Sequence, residues 1–354
     1  MKFSDFIDYP VIDCHIHLWV PGHTLTRENL LQQAESLVEI IDKGNIKQIY
    51  TTGGDAGIFL KTKYPNLFYA GGSMPWGFSP ESVNQLKIDW KKYINELIEV
   101  GFDGVQEIGS KPRLRDRRIT LDNPHLDDLW SACENFDFAV LLHVADPEEF
   151  WDEKLIPNWA KAQDWGYYKG DWPTKKELYT EMENILNNHP DLKAVLCHFY
   201  FMSADLEKAS DFFDRHEKAH FDLSLGIELM HNISHRRDEY RDFFIKYSNR
   251  ILYGTDIGMS KTIQEHLTRI WLLRNFLESN EEFFLPLTAD SLLTRYKEPF
   301  IGLNLPKATL SKIYYKNFQR LWGRRPRKID IRVAVSRCER KGNAVLAEAL
   351  KKPL

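Results

Sequence analysis

The chain has 354 residues, 43% of them hydrophobic and 28% charged, a balance that excludes disorder and predicts a folded chain with a sizeable core. A formal net charge of −4 leaves no electrostatic footprint for nucleic acid or an anionic membrane. No apolar run is long enough to span a bilayer, and the first residues lack the apolar stretch of a secretion signal. Cys14, Cys133, Cys197 and Cys338 lie far apart with no Cys-x-x-Cys pair. That argues against a disulfide framework or a cysteine zinc site and fits a reducing cytoplasm.

In chain order, short β-branched runs alternate with longer amphipathic segments. Strands are predicted over residues 11–16, 46–52, 67–72, 102–108, 138–144, 192–198, 220–225 and 250–255. Helices are predicted over 27–43, a short stretch ending at 64, 80–100, 123–136, 175–188, 204–216, 234–247 and 260–277. Alternation of this kind means parallel strands with right-handed crossovers. Eight units point to an α/β fold closed into a (β/α)8 TIM barrel, with a doubly wound open sheet as the rival. Residues 1–325 are read as the barrel and 326–354 as a C-terminal extension. Beyond Pro326 the chain has eight Lys or Arg against three acidic residues, which suits a solvated or loosely packed helical extension rather than a nucleic-acid arm.

A long insertion after the fifth strand, residues 145–174, carries Phe150, Trp151, Trp159, Trp165, Tyr167, Tyr168 and Trp172. In a barrel it sits on the active face, as a lid or specificity wall or else as an aromatic cluster covering one end.

The chemistry concentrates at strand ends. Asp13-Cys14-His15-Ile16-His17 closes the first strand, and strand alternation puts His15 and His17 on one side, able to chelate one divalent ion. The same alternation sends Cys14 and Ile16 towards the helices, with Cys14 a buried thiol rather than a ligand. The fifth strand ends at His143, the sixth at His198 and the eighth at Asp256. In a parallel barrel those ends converge. A single strand-terminal histidine is more often a satisfied core residue; four histidines and an aspartate at four strand ends are not well explained that way. The other eight histidines read as surface or structural.

In order and strand placement, His15-x-His17, His143, His198 and Asp256 resemble the amidohydrolase superfamily of metal-dependent barrels, nearest to the amidohydrolase-2 branch that includes aminocarboxymuconate-semialdehyde decarboxylase. Leu252-Tyr253-Gly254-Thr255-Asp256 fits too, as does Gly302-Leu303-Asn304-Leu305-Pro306 leading to an asparagine-bearing helix at Asn317. The resemblance implies His15, His17, His143 and Asp256 as metal ligands, with His198 binding metal or substrate. Zn2+ suits such a set, with manganese, iron or nickel as alternatives. It also implies Asp256 as the proton-transfer group and a cationic or hydrogen-bonding His198 as the stabiliser of negative charge. A homodimer is implied by the resemblance alone.

Glu107 ends the fourth strand, where it is compatible with a second ion, with Gln106 competing if the register differs by one. Substrate-binding candidates are Trp19, Trp76, Arg113 and Arg115: the tryptophans as pocket walls or packing residues, the arginines as a clamp for a carboxylate or phosphate or as a solvated loop. The first functional reading is a metal-dependent hydrolase of a small amide, lactone or cyclic ester. The alternative is a non-hydrolytic decarboxylase acting on a small carboxylate, and the third is an inactive binding barrel.

Overall fold

The computed structural model describes residues 2–18, 26–75, 88–113, 119–225, 228–258, 261–291, 293 and 298–352. All eight expected strands are present: β1 (Ile12–His17), β2 (Gln48–Thr51), β3 (Phe68–Gly72), β4 (Gly104–Gly109), β5 (Val140–His143), β6 (Ala194–Leu196), β7 (His220–Asp222) and β8 (Ile251–Leu252). A ninth short piece, β9 (Ile257–Gly258), pairs in parallel with Ile16 and His17 of β1. The sheet runs β8-β7-β6-β5-β4-β3-β2-β1-β9. Residues 251–258 act as one interrupted strand that seals the ring. Their first part pairs with β7; then Cys14 N donates to Tyr253 O at 3.0 Å and Asp256 N donates to His15 O at 3.0 Å. The fold is therefore an α/β TIM barrel, not an open doubly wound sheet.

Helices wrap the ring where the apolar periodicity placed them, at Arg27–Lys43, Trp90–Val100, Lys175–Asn188, Leu206–Arg215 and Ile263–Glu278. Thr174 with Glu177, and Thr262 with Glu265, form reciprocal capping boxes at two helix starts, which satisfies amides that a helix leaves orphaned. The 234–247 helix is two pieces, Leu229–His235 and Arg237–Lys246. Inside the ring, Ile12, Tyr50, Tyr69, Leu141, Val195 and Leu252 stack on Phe318, Leu321 and Trp322. These last come from the helix Asn317–Trp322, pinned by Asn317 Nδ2 donating to Ser248 O and Ile251 O, both at 2.7 Å. One barrel end is plugged by aromatic rings, so the other is left for polar side chains.

Two sequence expectations need correction. Cys14 faces the barrel interior, among Ile12, Tyr50 and Cys197, not the helices. The cause is a shift in the β1–β2 register between Asp13 and Ile16; a bulge there breaks the alternation that the expectation assumed. The C-terminal extension is not loosely packed either. Its helices Ile331–Arg340 and Ala344–Lys351 bury Ala334, Cys338, Leu346 and Leu350. Arg337, 2% exposed, reaches Asp55 and Glu96 at 3.1 Å each and the Tyr93 hydroxyl at 3.0 Å. Its basic residues thus partner acidic side chains on two barrel helices, Asp55–Lys63 and Trp90–Val100.

Candidate metal centre

At the carboxyl ends of the strands, His15, His17, Glu107, His143, His198 and Asp256 come together. His15 Nε2 and His17 Nε2 are 3.1 Å apart. Asp256 Oδ1 lies 3.0 Å from His17 Nε2 and 3.8 Å from His15 Nε2. Glu107 Oε2 lies 3.3 Å from His17 Nε2, while its other oxygen meets His143 Nδ1 at 2.8 Å. The His198 ring sits 4.7 Å from that of His143 and 5.6 Å from that of His15. Glu107, not Gln106, is the residue presented to the cluster, because a second register shift lies between Val105 and Ile108 on β4. Bulges at both β1 and β4 re-aim side chains into the same space.

A surrounding layer sets the direction of these groups. Asp222 accepts from His15 Nδ1 at 2.8 Å with one oxygen and from His198 N at 2.8 Å with the other. Thr52 Oγ1 meets His17 Nδ1 at 2.9 Å. Asp13 accepts from His15 N and Thr255 N at 3.1 Å each and from the Thr255 hydroxyl at 2.5 Å, which ties β1 to the segment ahead of Asp256. Arg269 donates to the Thr255 and Asp256 carbonyls at 3.0 and 3.2 Å, and Asp256 itself has φ +53°.

Electrostatics follow from this crowding. Burial works against charge on Glu107, but the imidazoles of His17, His143 and His15 outweigh it and hold the carboxyl well below its ordinary range. Asp256 is held down in the same way, chiefly by His17. Burial, then His143, pulls His198 down to about 4, so its ring is uncharged at neutral pH. Of its two expected roles, this suits the hydrogen-bonding one.

The donors fit a divalent ion. With His15 Nδ1 bonded to Asp222, Nε2 faces His17 Nε2 and two carboxylate oxygens, where an ion can take the place of its proton. One imidazole proton cannot satisfy so many acceptors. Two imidazole nitrogens sharing one ion at about 2.0–2.1 Å stand roughly 3 Å apart, close to the 3.1 Å observed. His143 Nε2 is buried with no hydrogen-bond partner. Second-layer carboxylates that fix the tautomer of a ligating histidine are the usual companions of such sites.

The wall of the site comes from β6 and the insertion. His198, Phe199, Tyr200 and Phe201 all have φ between +50° and +58°, one turn wound in the left-handed sense. It is held by Tyr179 Oη donating to Tyr200 O at 2.7 Å and Lys175 Nζ donating to Phe201 O at 3.0 Å. The Phe201 ring lies 5.1 Å from His198 and 5.5 Å from His143. The insertion forms a small aromatic core around Phe150, Ile156, Ala160 and Tyr167. Tyr167 donates to Asp146 at 2.5 Å, and Asp146 lies 3.6 Å from His143 Nε2. Arg113 pairs with Asp164 at 2.8 Å and lies 5.7 Å from the Trp172 ring, so it is engaged with the insertion. Trp19, Trp76 and Arg115 lie outside the described residues.

Sequence reading passed over Asp222, Asp13, Asp146, Cys197 and Phe201. Asp222 carried a usable signal, since it ends β7 as the other site residues end theirs.

A family model described as Amidohydrolase matches residues 88–324, well over half of the chain. The chain belongs to the amidohydrolase family. It is an enzyme of the amidohydrolase-2 type, in a family that depends on metal. The matched span contains Glu107, His143, His198 and Asp256, while His15 and His17 precede it. No curated protein matches the sequence. Solved structures share the fold at low identity. IDCase from Metarhizium anisopliae is 13% identical, covering 91% of this chain and 98% of that one, with a TM-score of 0.54. 2,6-Dihydroxybenzoate decarboxylase from Rhizobium is 15% identical over 88% and 98%, at 0.51. 5-Carboxyvanillate decarboxylase from Novosphingobium aromaticivorans, complexed with manganese and a nitrobenzoic acid, is 12% identical over 89% and 96%, at 0.51. No helix among the described residues is long and apolar enough to cross a membrane.

Proposed function

We propose that this amidohydrolase is a metal-dependent decarboxylase of a small carboxylate, with His15, His17, His143 and Asp256 as ligands of a divalent ion and Glu107 and His198 beside it. The observation that carries the metal reading is that a Glu107 oxygen and an Asp256 oxygen each lie within 3.8 Å of both the His15 and His17 Nε2 atoms, themselves 3.1 Å apart. The preference for decarboxylation over the hydrolysis first expected comes from the structural neighbours, of which the Rhizobium and Novosphingobium proteins bear the name decarboxylase. Three imidazoles with a carboxylate favour Zn2+. Four buried free thiols fit a reducing cytoplasm.

When bound, the ion would supply Lewis-acid polarisation of substrate oxygens. The chain's own groups do the rest. Asp256, anionic throughout the neutral range, is placed to hold and pass on a proton. His198 is a neutral hydrogen-bonding ring, and Phe201 a flat apolar wall beside it. Lys111, whose charge reaches His143 and Asp146 and whose ammonium lies 5.6 Å from the Trp165 ring of the insertion, is a cation available to a substrate carboxylate. In the reaction the carbon–carbon bond breaks, its electron pair stays on the substrate carbon, and that carbon takes one proton as carbon dioxide leaves. Incubation of metal-loaded enzyme with a panel of hydroxybenzoates, lactones and amides in 18O-labelled water separates the readings. Carbon dioxide without label in the product supports decarboxylation; labelled product without carbon dioxide establishes hydrolysis instead. Metal binding with no turnover of any member would favour a binding barrel.

A further inference from the structure

Cys197 lies where the apolar interior of the barrel meets the polar cluster. It follows β6 directly, is 1% exposed, and packs above Cys14, Val195 and Leu141 in the interior stack. Its Sγ, a His15 ring nitrogen and a Glu107 oxygen lie within 4.8 Å of one another. The other two members are held in place independently of the sulfur. His15 is fixed by Asp222 at 2.8 Å, and Glu107 by His143 at 2.8 Å. The same Glu107 belongs to a further group with His143 and His198 in which donor atoms also fall within 4.8 Å, and His143 Nε2 is buried with no hydrogen-bond partner, the Asp146 carboxylate standing 3.6 Å away. The thiol therefore forms the floor of a space already lined by nitrogen and oxygen donors.

We infer that Cys197 is a metal donor, forming with His15 and Glu107 a soft-ended subsite that biases the enzyme towards thiophilic divalent ions such as zinc, cobalt or cadmium over manganese. This rests on the metal reading given above and extends it to the choice of ion. A sulfur donor discriminates because thiolate bonds strongly to soft and borderline ions, while manganese and magnesium prefer carboxylate and water oxygens. Ligation replaces the Sγ–H bond with a sulfur–metal bond; the proton leaves to solvent and no electron is transferred. Sequence reading had no reason to find it, since the residue adjacent to His198 in a regular strand points away from the site. The left-handed turn that begins at His198 lets neighbouring side chains serve the same space.

The test is spectroscopic and uses the full chain stripped of metal by chelation. Titration with Co2+ is expected to produce a near-ultraviolet sulfur-to-cobalt charge-transfer band that persists in Cys14→Ser and is absent from Cys197→Ser. In competition titrations the preference for Cd2+ over Mn2+ should fall by about tenfold or more in Cys197→Ser. Stoichiometric Co2+ uptake without a sulfur band, or a band that survives in Cys197→Ser, overturns the inference and leaves the metal-dependent reading intact. Absence of any Co2+ uptake overturns both. Should Cys197→Ser not fold, the parent and Cys14→Ser decide. Cys133 and Cys338 pack outside the ring, so a band retained in Cys14→Ser supports Cys197 and a missing band refutes it.

Discussion

Replacing Asp222 by asparagine isolates the contribution of the layer behind the candidate ligands. Asp222 Oδ1 accepts from His198 N at 2.8 Å and Ser224 N at 3.0 Å, and Oδ2 accepts from His15 Nδ1 at 2.8 Å. An asparagine keeps the first two bonds by leaving its carbonyl at Oδ1. Its amide then faces the Nδ1–H of His15, donor against donor. The ring relieves this by moving its proton to Nε2, the nitrogen aimed into the cluster, where it blocks an ion. A hydrogen bond to a charged group contributes about 1.5–3 kcal/mol, and about 1.4 kcal/mol is a factor of ten. Metal affinity in Asp222→Asn is therefore expected to fall roughly 10- to 100-fold, with the far-ultraviolet circular dichroism unchanged. Competition against a chromogenic chelator measures it. Unaltered affinity in a folded variant would show that Asp222 does not orient His15 for a metal.

Four further outcomes are expected. Asp256→Asn lowers turnover by about 10²-fold or more while the fold persists; steady-state kinetics beside a thermal melt checks this, and full turnover would remove Asp256 from proton transfer. His15→Ala combined with His17→Ala abolishes stoichiometric metal by elemental mass spectrometry, whereas full metal content would refute both ligand assignments. His220, at the start of β7, is buried near Arg320, and burial first and then that charge lower its pKa to about 3 against 6.5 unfolded. Between these values the unfolded chain binds the extra proton, so its contribution is complete above pH 6.5 and is lost on acidification towards 3. Denaturant titrations of His220→Gln should show about 2–3 kcal/mol less loss than the parent between about pH 6.5 and 4.5; parallel curves would refute it. Arg337→Ala leaves Asp55 and Glu96 without their buried partner and should cost about 3 kcal/mol of unfolding free energy; equilibrium denaturation showing no change would mean that the C-terminal helices do not brace the barrel.

Much of this was legible in the sequence, for physical reasons. Parallel strands read as apolar runs and the helices between them as amphipathic stretches, so the ring could be anticipated, and its strand ends marked His15, His17, His143, His198 and Asp256. Irregular backbone was not legible. The bulge in β1 turned Cys14 inward, and the one in β4 selected Glu107 over Gln106; neither leaves a periodic trace. Asp222 could have been marked by its place at the end of β7, but its bond to His15, 207 positions away, has no local signature. The docking of the extension was hidden for a related reason. A basic segment reads as solvated until the acidic surface it meets, here Asp55 and Glu96, is known.

The backward-coiled corner at residues 198–201 stores strain beside the site. L-residues other than glycine resist that hand by roughly 1–2 kcal/mol apiece, and none of the four is glycine. The corner is held by the Tyr179 hydroxyl and the Lys175 ammonium on its carbonyls, by His198 N donating to Asp222, and by the full burial of Phe199 and Tyr200. Strain held in this way, beside a cluster of donors and offset by the core around it, keeps His198 and Phe201 in a fixed pose at the wall of the site.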